Sequence, residues 1–133
     1  MNRGAWSLRL ARPEDAAALP AIERAAAVAF AGEPSIDPAR TRSEADYARL
    51  IRRGHSLVAH VGEAMAGFLV AQPFSRELHI WEMDVAPAYQ RRGIGAGLVR
   101  ACLIDARNTG FRALTLTTFR DLEWNAPFYA RLG

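Results

Sequence analysis

Residues 90–97 read Gln-Arg-Arg-Gly-Ile-Gly-Ala-Gly, setting two guanidinium groups beside three glycines at every second place. A strand-like run ending in Met83-Asp84-Val85 precedes them, and an apolar stripe at helical spacing follows. The first turn of a helix leaves backbone N–H groups without partners, and the helix dipole makes that end positive. Glycine removes the side chains that would hold a ligand away, so this turn reads as a site for a phosphate or diphosphate. Two common nucleotide patterns fail at named residues. A P-loop needs Gly-Lys-Ser/Thr, yet Leu98 follows the third glycine and the chain has no lysine. A dinucleotide fingerprint counted from Gly93 needs a glycine where Leu98 stands.

The composition narrows the setting. At 133 residues, half of them hydrophobic, the chain is expected to form one soluble domain. No stretch approaches the ~20 apolar residues of a membrane span. The first residues carry scattered charge rather than a signal-peptide core, so a cytoplasmic protein is expected. All 17 basic residues are arginine, and the net charge is +3. The arginines are spread out instead of forming a stripe, which argues against nucleic acid as a partner. A single cysteine, Cys102, excludes an internal disulfide and a cysteine zinc cluster; its place on the apolar stripe of a helix reads as core. No His/Asp/Glu spacing suits a metal. His55 and His60 belong to no motif and read as ordinary strand-edge residues.

The elements that would carry the glycine turn follow from periodicity. Ser7–Ala11 alternates as a strand, and Pro13 opens a helix running towards Gly32, with Pro20 as a point of division. Ser43 caps a second helix that Gly54 closes. Three strands follow, at 55–61, 65–72 and 77–85, joined by short turns as an antiparallel meander. The glycine turn then opens a helix over 95–109; a strand over 111–118 follows, and NAPFYARLG begins a last short helix. The fold class is therefore mixed α/β (α+β), a central, mostly antiparallel sheet flanked by helices. Along the third meander strand, simple alternation puts His79, Trp81, Met83 and Val85 on one face and Ile80, Glu82 and Asp84 on the other.

The pattern Gln90-Arg91-Arg92-Gly93-Ile94-Gly95 after an apolar strand resembles the pyrophosphate-binding motif of the GNAT family, the Gcn5-related N-acetyltransferases. WNAPFYARLG resembles a second signature of that family, about 30 residues later, and the likeness runs from the first strand to Gly133. The resemblance implies a GNAT-like acyl-CoA N-acyltransferase fold, with acetyl-CoA as co-substrate and direct transfer to a primary amine on a small molecule or peptide. It implies that Gln90, Arg91, Arg92, Gly93, Ile94, Gly95 and Ala96 hold the diphosphate. The pantetheine arm would lie along Met83, Asp84 and Val85 in a gap between two splayed strands, with Asn125 also near the coenzyme. Such relatives usually add two strands after the tyrosine helix, whereas the sequence ends at Gly133. From that comparison the last strands are expected to be missing, and an open edge would invite a second copy, a homodimer.

Amine acetylation must remove a proton from the amine, hold an oxyanion and stabilise a departing thiolate. A phenol near pKa 10 can protonate a thiolate whose thiol lies near 8.5, and Tyr129 matches the family's general-acid position. Relatives carry a glutamate or histidine six residues before the position of Val85, which makes His79 the candidate base. Glu82 competes, if a bulge turns it into the cleft. Phe30, Glu33 and Trp81 would line the acceptor pocket and suit a cationic amine. A non-catalytic acyl-CoA-binding module is the alternative; it would keep the glycine turn without needing Tyr129 or His79.

Overall fold

The computed structural model describes residues 5–28, 41–116 and 128–131. Pro13 opens a tight 3-10 segment, Pro13–Ala18, followed directly by helix α1, Leu19–Val28. The division expected at Pro20 is real. Pro20 stands in the first turn of α1, where its missing N–H breaks no helical bond. Asp15 secures this corner, taking the Arg9 guanidinium at 2.7 and 2.9 Å and the Arg12 N–H at 2.7 Å. Helix α2, Glu44–Ile51, begins in a capping box: Ser43 Oγ accepts the Asp46 N–H at 3.1 Å, and Asp46 accepts the Ser43 N–H at 3.4 Å.

Strand β1, Trp6–Leu10, pairs with β2, Leu57–Val61; β3, Ala64–Phe74, and β4, Glu77–Val85, complete the expected meander. Helix α3, Ile94–Thr109, crosses back so that β5, Ala113–Leu116, lies parallel to β4. The sheet then gains β6, Phe128–Arg131, antiparallel to β5, for an order β1-β2-β3-β4-β5-β6. This corrects the expected last helix: Phe128–Arg131 is a strand. Without it the outer edge of β5 would be unpaired, and the adjacent aromatics Phe128 and Tyr129 favour a strand.

Each face of the sheet has its own core. Leu57, Leu69, Leu78 and Ile80 pack against Ile94, Leu98, Cys102 and Ala106 of α3. On the other face Val58, Phe68 and Val70 pack with Leu19, Ile22, Tyr47 and Ile51 of α1 and α2. Cys102 is buried in the α3 core, where burial pushes its thiol up to about 12.

A bulge changes the face assignment along β4. Val70 pairs with Glu82 but Ala71 with Ile80, so Trp81 is an extra residue opposite no partner in β3. The alternation slips there. Leu78 and Ile80 before the bulge, with Met83 and Val85 after it, all face α3. His79, whose partner is Gln72, therefore shares the opposite face with Glu82 and Asp84, not with Met83 and Val85.

Gly97 also has a different role from the one its spacing implied. A Cβ there would collide with Cη2 of the Trp6 indole and lie 2.9 Å from its Cζ3, so its bareness admits Trp6 rather than a ligand. An exposed glycine-to-alanine change inside a helix ordinarily stabilises by about 1 kcal/mol. We expect Gly97→Ala instead to destabilise by about 1–3 kcal/mol, the usual cost of overpacking. Denaturant melts in a Trp6→Leu background should return the substitution to neutral or stabilising; an unchanged penalty there would show that Trp6 is not the obstacle.

Candidate active site

The turn before α3 is built for an anion. Gly93 is the N-cap residue, in the left-handed region at φ 84°, and supplies no side chain to cap the helix. Arg91 also takes a positive φ, 65°, which is uncommon for a long side chain and marks a turn under constraint. A left-handed residue followed by a right-handed helix turns successive N–H groups into a shared concavity. The Trp6 indole N–H donates to the Arg92 carbonyl at 2.9 Å and Gln90 Nε2 donates to the Val85 carbonyl at 3.1 Å, fixing both ends of the turn. Arg91, Arg92, Gly93 and Ala96 are exposed, while Ile94 anchors in the core. The Arg92 guanidinium lies 5.4 Å from the centre of the Tyr89 ring. Donors without helical partners, two arginines and no carboxylate between residues 90 and 97 fit a diphosphate.

Beside this turn, β4 has an edge that no described residue pairs with beyond Ile80. Its pairing with β5 covers Glu77 to Ile80, and Trp81–Val85 run on beyond the described end of β5. The Ala86 N–H bonds the Ala66 carbonyl at 2.8 Å on the β3 side. Peptide groups alternate between the two edges of a strand, so those of Met83 and Val85 face away from β3. A Cβ on Gly95 would lie 3.8 Å from Met83 Cε and 4.0 Å from Val85 Cγ2, which places the start of α3 directly over this stretch. Among the described residues, turn and strand edge form one continuous surface, suited to a molecule with a diphosphate and an extended amide-bearing arm.

The α1/α2 face of the same strand carries a polar network that periodicity did not single out. Glu23 is 2 % exposed and Tyr47 0 %, so their polar atoms require partners. The Tyr47 hydroxyl donates to Glu23 Oε1, which also accepts the Arg42 N–H at 3.0 Å. The Arg42 guanidinium pairs with Glu82 at 2.6 Å, and Asp84 is buried on the same face. Burial, then the bond to Glu23 and the charges of Glu82 and Asp84, push the Tyr47 hydroxyl far up, so it remains a donor. A signal was present in the sequence: Glu23 occupies the α1 stripe with Leu19, Ile22 and Ala26, where an acid is out of place.

His79 sits at the boundary. Its Nδ1 is 2.6 Å from Thr115 Oγ1, and its ring packs edge-on against Trp81 at 4.6 Å. Burial, only partly offset by Glu77, lowers its pKa below the ordinary histidine range, so it is neutral near pH 7. Tyr129 stands in register with Thr115, and Thr115 with His79, so the candidate acid and base occupy one row across three strands. Trp81 is 40 % exposed and Glu82 largely covered by Arg42. Phe30, Glu33 and Asn125 lie outside the described residues. His55, in the segment before β2, holds Asp105 of α3 at 2.8 Å. No helix among the described residues is long and apolar enough to cross a membrane, and no group of three His, Cys, Asp or Glu there could hold a metal ion.

Comparison with known proteins bears on this arrangement. Residues 19–133 match the model of the acetyltransferase (GNAT) family. The fold is similar to that of the PaiA N-acetyltransferase of Thermoplasma acidophilum in complex with coenzyme A, with a TM-score of 0.75 and 19% identity over 88% of this chain and 81% of that one. A GNAT family acetyltransferase of Brucella melitensis in complex with acetyl-CoA gives 0.71 and 22% over 98% and 90%. The ribosomal-protein-S18-alanine N-acetyltransferase of Escherichia coli gives 0.68 and 22% identity, and this chain spans 66% of its length.

The depressed His79 makes stability depend on pH in a definite direction. The unfolded chain binds its proton near pH 6.5, whereas the folded chain resists it to lower pH. The His79 contribution is thus intact above about 6.5 and lost as pH falls through that value towards the folded pKa. Urea denaturation at pH 7.5 and 5.5 should show a larger loss for the wild type than for His79→Gln; equal losses would mean His79 is not held neutral by its surroundings.

Proposed function

Because the chain belongs to the GNAT acetyltransferase family, we propose that it is an acetyl-CoA-dependent N-acetyltransferase acting on a primary amine by direct transfer in a ternary complex. The observation that carries this reading is the β4 edge at Met83 and Val85, turned away from β3, unpaired among the described residues and lying directly against the uncapped start of α3. Gln90, Arg91, Arg92, Gly93, Ile94, Gly95 and Ala96 hold the diphosphate. The β4 edge over Met83, Asp84 and Val85 receives the pantetheine arm, and Asn125 contributes at the same end.

Acetyl-CoA, when bound, supplies an activated acetyl thioester. The Val85 N–H, turned away from β3, would be the donor for negative charge developing on the acyl oxygen, the kind of fixed donor that contributes most to such reactions. His79 accepts the amine proton through water; being neutral near pH 7 it has the capacity to do so, and Thr115 orients its ring. Glu82 is held by Arg42 and steers the ammonium group towards His79 rather than taking the proton itself. Tyr129 returns a proton to the departing sulfur. Trp81, with Phe30 and Glu33, forms the acceptor side. The balance is one amide formed, one thioester cleaved and one thiol released.

We expect Tyr129→Phe to lower kcat by about 10²–10⁴, the scale of a lost general acid, with acetyl-CoA binding unchanged. The readouts are thiol release over a panel of primary amines and calorimetric titration with acetyl-CoA. Heat of binding without thiol release on any amine would overturn the enzyme reading in favour of an acyl-CoA-binding module. Absence of heat would remove both.

A further inference from the structure

A cavity of about 480 Å³ opens between α2 and strands β3 and β4, a volume within the range of small-molecule sites. Its lining includes Arg42, Arg49, Arg52 and Arg53, with Gln72 and Trp81 from the sheet. Two of these charges are already matched, Arg42 by Glu82 and Arg49 by Asp46. Arg52 and Arg53, both exposed, have no carboxylate partner among the described residues. Arginines at the end of α2 complement its dipole, which accounts for basic residues at that position. It does not account for a tryptophan and a glutamine closing a cavity around them.

The cavity adjoins the reacting end of the site. Trp81 both lines it and packs on His79, and Arg42 both lines it and holds Glu82. A molecule lying with its amine at His79 and Glu82 can therefore extend towards guanidinium groups that lack a counter-charge among the described residues. We propose that the acceptor is a small primary amine carrying a carboxylate or phosphate group, bound by Arg52 and Arg53 while the amine is held at Glu82. This rests on the acetyltransferase reading for its reaction and on the basic cavity for its specificity. It adds an anionic group to the cationic amine expected from the sequence: among the described residues the unmatched charge of the cavity is positive. The planar fork of arginine suits either anion bidentately.

The test pairs each anionic acceptor with its neutral counterpart: an amino acid with its amide, and aminoethyl phosphate with aminoethanol. The anionic member should have a kcat/KM at least about tenfold higher, as one charge-assisted hydrogen bond to arginine can supply. Whichever pair shows the larger ratio identifies the anion. In the combined Arg52→Gln and Arg53→Gln variant that ratio should fall towards one through KM, with kcat retained. Arg107→Gln on α3 serves as the remote control. Equal or better turnover of the amides or of diamines would overturn the proposal, as would an unchanged ratio in the double variant. If no amine is turned over, the acetyltransferase reading fails separately. The basic cavity is then judged by calorimetric titration of aminoethyl phosphate into CoA-saturated protein: wild-type binding that the double variant loses supports it, and binding unchanged in the double variant, or absent from the wild type, refutes it.

Discussion

One extra residue in β4 organises the site. Hydrogen bonding from β3 runs continuously along both sides of Trp81, yet the bulge there reverses which side chains point to which face. Without it, Met83 and Val85 would point to the α1/α2 side if His79 kept its present face, and the surface under the α3 N-terminus would carry Glu82 and Asp84. Two carboxylates would then stand beside a turn whose N–H groups and arginines are arranged for an anion. The bulge keeps acids and anion site on opposite faces of a single strand. Its energetic cost is one lost ladder pairing, and Trp81 recovers part of that by packing on His79.

The polar network on the α1/α2 face obeys the same economy of charge. A buried carboxylate costs several kcal/mol unless its oxygens are satisfied. Glu23 has the Tyr47 hydroxyl and the Arg42 N–H, and Arg42 in turn reaches Glu82. These contacts join α1, the segment before α2, and β4 at one point. Such a network is strongly geometric: moving α2 would disturb both the carboxylate at the strand and the cavity whose lining Arg42 shares.

Much of this was legible in the residues, for physical reasons that also explain what was not. The meander, the Ser43 cap and the helix after the glycine turn depend on contacts within a few positions, and local pattern captured them. The β4 bulge depends on register against β3, a non-local choice that alternation within one strand does not reveal. The same applies to Phe128–Arg131, whose strand state comes from the edge of β5 it covers. Gly97 looked like part of the phosphate cradle because its spacing matched; only the arrival of Trp6, 91 positions earlier, shows that its bareness serves packing. Glu23 was visible as an acid on an apolar stripe, but its partners lie on other elements.

The geometry also bears on where the two halves of the proposed reaction can meet. A hydrogen-bonded sheet is a barrier: between β1 and β4, and along the first four pairs of β4 with β5, ladder bonds leave no passage from one face to the other. The anion site lies on the α3 face, and His79, Glu82 and the basic cavity lie on the α1/α2 face. Beyond Ile80 the edge of β4 is no longer covered by described residues of β5, and the bulge sits at that same boundary. In the proposed reaction, an acyl group presented along Met83 and Val85 and an amine delivered from the other side would meet at that boundary. The separation has a chemical benefit. In the proposed reaction the diphosphate would stay close to arginines and helix N–H groups, while the amine, which must give up a proton, would stay among Glu82 and a neutral His79, so that neither charge environment weakens the other.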